Sequence, residues 1–172
     1  AAARLFRTRF HHLQHVDSNH LPGSFFAQVI LAQLGAEREG SGGMVCQVEV
    51  LDPSQLLEPQ AAARHLLGAV LERTLADGLL LRARIVEVEA YFQEDPASHT
   101  FRGQTPRNAA MFGPPGHAYI YLSYGIHWCL NVTAGPEGYG SGVLIRAVEP
   151  LEGVARMQEL RGRAGPVLSN GP

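Results

Sequence analysis

Residues 79–92 read LLLRARIVEVEAYF, and their alternation of apolar and charged side chains predicts a long β-strand. Strict alternation puts Leu79, Leu81, Ala83, Ile85, Glu87, Glu89 and Tyr91 on one face. That face is apolar until it reaches two carboxylates, held side by side about 6.6 Å apart. Carboxylates are seldom turned toward a core unless they are paired or put to use. An edge strand whose polar end meets water would satisfy the spacing equally well. The preceding residues 69–75 form a second strand-like run, and Ala76-Asp77-Gly78 between the two has the composition of a hairpin turn.

Toward the N terminus, Pro59 suits the first turn of a helix reaching about Leu67, with Gly68 as its stop. Before it, Met44, Cys46, Val48 and Val50 alternate with polar residues, which predicts a strand ending at Asp52-Pro53. Residues 37–43 read as a flexible link, and Ser24 as the cap of a short helix with apolar residues from Phe25 to Leu34. Residues 1–20 read as a solvated helix rich in arginine and histidine. His11, His12 and His15 fall near one another on it, yet no HExxH or cysteine partner supplies a further ligand, so no metal is expected.

Toward the C terminus, residues 93–115 carry four prolines and read as a long loop. Connections of that length in a compact domain are usually functional or disordered. Residues 117–134 follow as HAYIYLSYGIHWCLNVTA, two aromatic-rich runs around Tyr124-Gly125. They predict a hairpin with Tyr124 near its tip, Tyr119 and Trp128 as core or sheet-face aromatics, and His117 and His127 as structural. The glycine-rich residues 135–142 lack both the GK[ST] ending of a phosphate loop and the spacing of a dinucleotide turn. A strand over 143–148 comes next, then a helix starting at Glu149-Pro150 and running to about Arg161.

A chain of 172 residues with 45% hydrophobic and 17% charged residues fits one globular domain. No apolar run approaches the roughly 20 residues a membrane helix needs, and no signal-peptide pattern opens the sequence, so an intracellular protein is expected. Cys46 and Cys129 lie in strand-like runs without a CxxC pair and read as reduced core residues. A net charge of −2 with a pI near 6.5 gives no global footprint for nucleic acid. All 14 cations are arginine. Arginine suits local contacts to phosphate and bases, although a GC-rich genome accounts for the bias equally well. A lysine Schiff base is excluded outright, leaving only an N-terminal amine for imine chemistry.

RIVEVEAY at 84–91, DPASH at 95–99, RGQTPRNAAMFGPPGHAYIYLSYGIHWCLNV at 102–132 and VLIRAVEPLEG at 143–153 together closely resemble the alkyladenine (3-methyladenine, methylpurine) DNA glycosylases. The likeness runs from about Glu58 to the C terminus, and LPGSFF at 21–26 resembles the family's N-terminal entry. It implies two segments: residues 1–57, carrying an insertion from 27 to 57 that is atypical of the family, and a glycosylase-like domain over 58–172 that ends earlier than in other members. It also implies a mixed α/β fold, a single domain around a curved, largely antiparallel, barrel-like sheet with peripheral helices and a protruding hairpin. By the same resemblance Glu89 is the general base that activates water, and Arg146 lies near the water and the target nucleotide. Tyr91, His99 and Tyr121 stack on or hydrogen-bond to the extruded base. Asn131 crowds the exocyclic amino group of normal guanine, and Tyr124 wedges into the duplex. Glu87 takes a supporting or structural role. The implied partner is double-stranded DNA containing damaged purines, acted on by a monomer without a cofactor, in the nucleus or in the bacterial cytoplasm.

The residue types suit that chemistry. A glycosylase must extrude its nucleotide to reach the glycosidic bond, and a tyrosine filling the gap offsets an unstacking cost of a few kcal/mol. Aromatic side chains around the base supply about 1–3 kcal/mol of stacking each. A positioned carboxylate contributes about 10²–10⁴ in rate by general-base catalysis. The absence of lysine fits water as nucleophile and argues against a strand-cleaving lyase step. Two other readings compete: a damage-binding module without chemistry, against which Glu89 speaks, and a glycoside hydrolase built on Glu87 and Glu89. The latter fails because its carboxylates must flank a bond about 5 Å or more apart from separate elements.

Overall fold

Pro59 and the residue before it show how local chemistry sets the frame. In the computed structural model, which describes residues 30–38, 44–125, 127–162 and 165, helix α1 spans Pro59–Leu66. The Glu58 carboxylate accepts from the Gln60 and Ala61 amides at 3.0 and 2.5 Å, satisfying donors the first helical turn leaves open. Pro59, Ala62 and Leu66 are the buried stripe of α1. Ala62 and Leu66 pack with Leu51, Leu56, Ile85, Val132, Val143 and Ile145 in one core cluster. Complete burial of Leu56, Leu66, Ile85 and Val143 contributes about 1.5–3 kcal/mol each.

Among the described residues, seven strands form one sheet: β1 (Ile30–Arg38), β2 (Met44–Val50), β3 (Val70–Thr74), β4 (Leu80–Tyr91), β5 (Ala118–Ser123), β6 (His127–Thr133) and β7 (Gly142–Glu152). All pairings are antiparallel, in the order β2-β1-β3-β4-β7-β6-β5. Strands β3 to β7 make a curled half-barrel that β1 and β2 extend at one edge, giving the expected mixed α/β single domain. A second helix, α2 (Val154–Arg161), buries none of its residues.

Three expectations are corrected. The helix expected from Ser24 through Leu34 is contradicted over residues 30–34, which belong to strand β1, paired to both β2 and β3. Residues 24–29, like the histidines of 1–20 and residues 39–43 of the expected link, lie outside the described residues. Glu37 and Arg38 of that link belong to β1. Sheet partners on both sides override a weak helical pattern.

Pro150 does not begin a helix. It lies opposite Ala83 in β7, beside the unpaired Leu151, and α2 starts only after Gly153 adopts a left-handed conformation at φ 76°. The long β4 is the template: Arg84 and Arg82 bind Glu149 and Glu152 across the pair at 2.8 and 3.1 Å. An irregular ladder position tolerates proline's missing donor.

The third correction concerns the faces of β4. Leu81, Ala83 and Ile85 are buried, but the next core residue is Val88, because Val86 and Glu87 are both exposed. Opposite, the core sequence on β7 jumps from Ile145 to Val148. Ile85 faces Val148, Glu87 faces Ala147 and Val88 faces Ile145, which leaves Val86 and Arg146 without opposite partners. Each strand carries one extra residue at the same level, so both change phase together. Glu89 and Tyr91 consequently lie on the face opposite Leu81, Ala83 and Ile85, not on the same one.

Candidate active site

Beyond that phase change, one row of residues crosses the sheet. Leu144 on β7 faces Glu89 on one side and Asn131 on the other, and Asn131 faces Tyr119 on β5. Residues facing one another across neighbouring strands share a face, and i and i+2 stay on it. Tyr91 and Tyr121 therefore join Glu89, Asn131 and Tyr119 on one surface. The loop after β4 folds over it, and Tyr91, Ala97, Ser98, His99, Met111, Tyr119, Tyr121 and Asn131 line an open cleft.

Aromatic rings dominate the cleft. The His99 ring centroid lies 4.3 Å from that of Tyr121 and 6.1 Å from that of Tyr119, and the two tyrosines are 5.5 Å apart. His99 Nδ1 is 3.2 Å from the Tyr119 hydroxyl. Asn131 is buried and donates from Nδ2 to the Tyr119 carbonyl at 3.1 Å, which fixes its side chain against the strand. Burial pushes the hydroxyls of Tyr119 and Tyr121 above the ordinary phenol range, so both rings are neutral. Shelter from water, and secondarily the charge of Arg107, lowers the His99 imidazole from its usual 6.5, favouring a neutral ring.

Charge gathers at Glu89. Its Oε2 lies 3.6 Å from Arg146 Nη1, and its side chain is 47% exposed, so water reaches it. Arg146 is the extra residue of β7, and irregular ladder positions are a common means of re-aiming a side chain beside a site. Burial first, then the hydrogen bond and charge of Glu89, raise the Tyr91 hydroxyl. Among the described residues no cluster of three or more histidine, cysteine or acidic side chains could hold a metal ion.

The six residues assigned to base and catalysis thus converge: Tyr91, His99, Tyr121 and Asn131 line the cleft, while Glu89 and Arg146 meet beside Tyr91. Tyr124 stands apart. It is 95% exposed at the hairpin tip and, among the described residues, is the sole non-glycine with positive φ, at 50°. Ala97, Ser98, Met111 and Tyr119 were not expected in the lining. Tyr119 was legible, because it stands two residues before Tyr121 on one strand; the others required the path of a loop. Trp128 is 48% exposed and is a sheet-face residue, while Cys129 is a buried free thiol. Glu87 is exposed, opposite Ala147.

A family model described as methylpurine-DNA glycosylase matches residues 54–172. A Nitrosospira multiformis protein provisionally named as a 3-methyladenine DNA glycosylase is 57% identical over 111 residues, covering 64% of this chain and 55% of the relative. A Burkholderia lata protein of the same name is 59% identical over 100 residues, covering 58% and 46%. A third, from Rhodopseudomonas palustris, is 55% identical over 111 residues, covering 64% and 52%. The chain spans about half the length of these curated relatives.

Proposed function

This chain belongs to the methylpurine-DNA glycosylase family, and from that premise we propose that it excises alkylated or deaminated purines from double-stranded DNA. The observation that carries the reading is the juxtaposition of an aromatic cleft with a water-accessible carboxylate on the same sheet face. The substrates are 3-methyladenine, 7-methylguanine, hypoxanthine and ethenoadenine, held by stacking that tolerates varied purines. The glycosylase unit is residues 58–172, with residues 1–57 as an N-terminal segment carrying an insertion. It works as a monomer in a DNA-containing compartment and uses no cofactor.

In the proposed reaction the nucleotide leaves the stack and its base enters between His99, Tyr91 and Tyr121, while Asn131 crowds the amino group of normal guanine. Tyr124, exposed on the hairpin, fills the vacated space in the duplex. Glu89 takes a proton from water as the water oxygen bonds to C1′. The C1′–N bond breaks, and its electron pair leaves with the base. Arg146, whose Nη1 is 3.6 Å from Glu89 Oε2, is placed to meet the developing charge around the water. Arginine supplies every cation in the sequence, so no lysine is present to form an imine with the sugar.

The test is incubation with a duplex bearing one hypoxanthine. Free hypoxanthine and an alkali-labile site are the expected products. Tight, damage-selective binding without base release would replace the reading with that of a damage-binding module.

A further inference from the structure

His99 sits between two buried hydroxyls that take no part in the reaction above. Thr100 is wholly buried, and Ser98 nearly so. The Thr100 hydroxyl donates to the Gly140 carbonyl at 2.5 Å, joining segments 40 residues apart. Its single proton is spent there, so the 2.7 Å contact with Ser98 must use the Ser98 proton. The Gly140 amide in turn donates to the Gln93 side chain at 2.8 Å, and the Tyr139 hydroxyl donates to Glu94 at 2.5 Å. On the other flank Asn108 Nδ2 donates to the His99 carbonyl at 2.8 Å. At Gly140 a Cβ would lie 2.5 Å from the Phe112 ring and 2.8 Å from Thr100 Cβ, so the two segments touch without slack.

We propose that Thr100 is a positioning residue: clamped on the Gly140 carbonyl, it sets where the His99 ring stands against Tyr121, and so shapes the cleft that receives the base. The role rests on the function proposed above. The clamp is a property of the free protein and can be measured without substrate.

Thr100→Val keeps the shape of the side chain and deletes its proton donor; Thr100→Ser keeps the donor. The His99 ring protons, shifted by the Tyr121 ring 4.3 Å away, are followed by NMR in the free protein. Single-turnover release of hypoxanthine is followed in parallel. For Thr100→Val, with far-UV circular dichroism unchanged, the His99 resonances are expected to move toward those of an unstacked ring. Excision should fall by about 10- to 100-fold, as for a misplaced binding group. Thr100→Ser should restore both readouts. Unmoved His99 resonances in a folded Thr100→Val protein would overturn the proposal, as would equal loss in both variants. If Thr100→Val does not fold, Thr100→Ala decides, since it deletes the same proton donor without the second methyl; unmoved resonances there overturn the proposal too. Should the parent protein release no base, the glycosylase reading fails, while the resonances still decide the clamp.

Discussion

Glu89 is the general base of the proposed reaction, and its water access and its contact with Arg146 make a specific expectation. Glu89→Gln should abolish hypoxanthine release in single-turnover assays while damaged-duplex affinity stays within a few-fold; excision within threefold of the parent would remove it from the mechanism. A second expectation concerns pH. His99 is neutral because shelter from water and then Arg107 lower its pKa, so protonation weakens the cleft only below the ordinary imidazole value of 6.5. With the folded value depressed, the neutral ring's contribution is present above 6.5 and is lost as pH falls toward the folded value. Arg107→Ala removes a like charge, so the acid limb of the excision profile should move upward in pH; a downward move would refute the assignment. At this scale much was legible. Glu89, Tyr91, His99, Tyr121 and Asn131 carry assigned roles within the quoted motifs; Ser98 and Met111 lie in the same motifs, but their place in the lining follows only from a loop that folds back over the sheet.

Among the elements, the β5–β6 hairpin offers the clearest test. Holding a non-glycine residue in the left-handed region costs roughly 1–3 kcal/mol, and Tyr124 adopts that conformation while almost fully exposed. If its ring replaces lost stacking in the duplex, Tyr124→Ser should slow excision by roughly 5- to 150-fold on double-stranded substrate, from about 1–3 kcal/mol of stacking. Single-stranded substrate should be affected less; equal losses would instead mean a folding or general-contact defect. The loop between β6 and β7 carries a structural expectation. Gly140→Ala drives a methyl into Phe112 and Thr100, and such overpacking costs about 1–3 kcal/mol. In thermal unfolding the midpoint should fall by roughly 2–12 °C. Hairpins and α1 were legible because turn and cap residues act locally. The true start of α2 was not, because ion pairs to β4 extend β7 past a proline that sequence alone reads as a helix start.

On the scale of the molecule, charge is laid out unevenly. Arg82 and Arg84 are matched to Glu72, Glu152 and Glu149 along the end of the sheet remote from the cleft. The exposed pairs to Glu149 and Glu152 contribute about 0–1 kcal/mol each, so substituting those two glutamates should leave excision intact and stability nearly so. Since lysine is absent throughout, the product of excision is expected to be an intact abasic site, nicked only by alkali or an added endonuclease. Borohydride capture of a protein–DNA adduct in good yield would contradict this. The general architecture, an antiparallel sheet with peripheral helices, was legible from the motif order. The phase change within β4 was not, because it needs the matching surplus on β7. That surplus bears on heredity as well as on geometry. Excise Val86 and Arg146 together, and the remaining residues of β4 and β7 pair with the same partners and show the same faces. The pairing scheme gains nothing from either codon. A lineage under selection for the scaffold alone is free to shed both, but losing one slips the register of one strand against the other. Across diverging genes the two codons should therefore be kept or lost as a couple, and a gene that has shed them should also have altered what it does with Glu89.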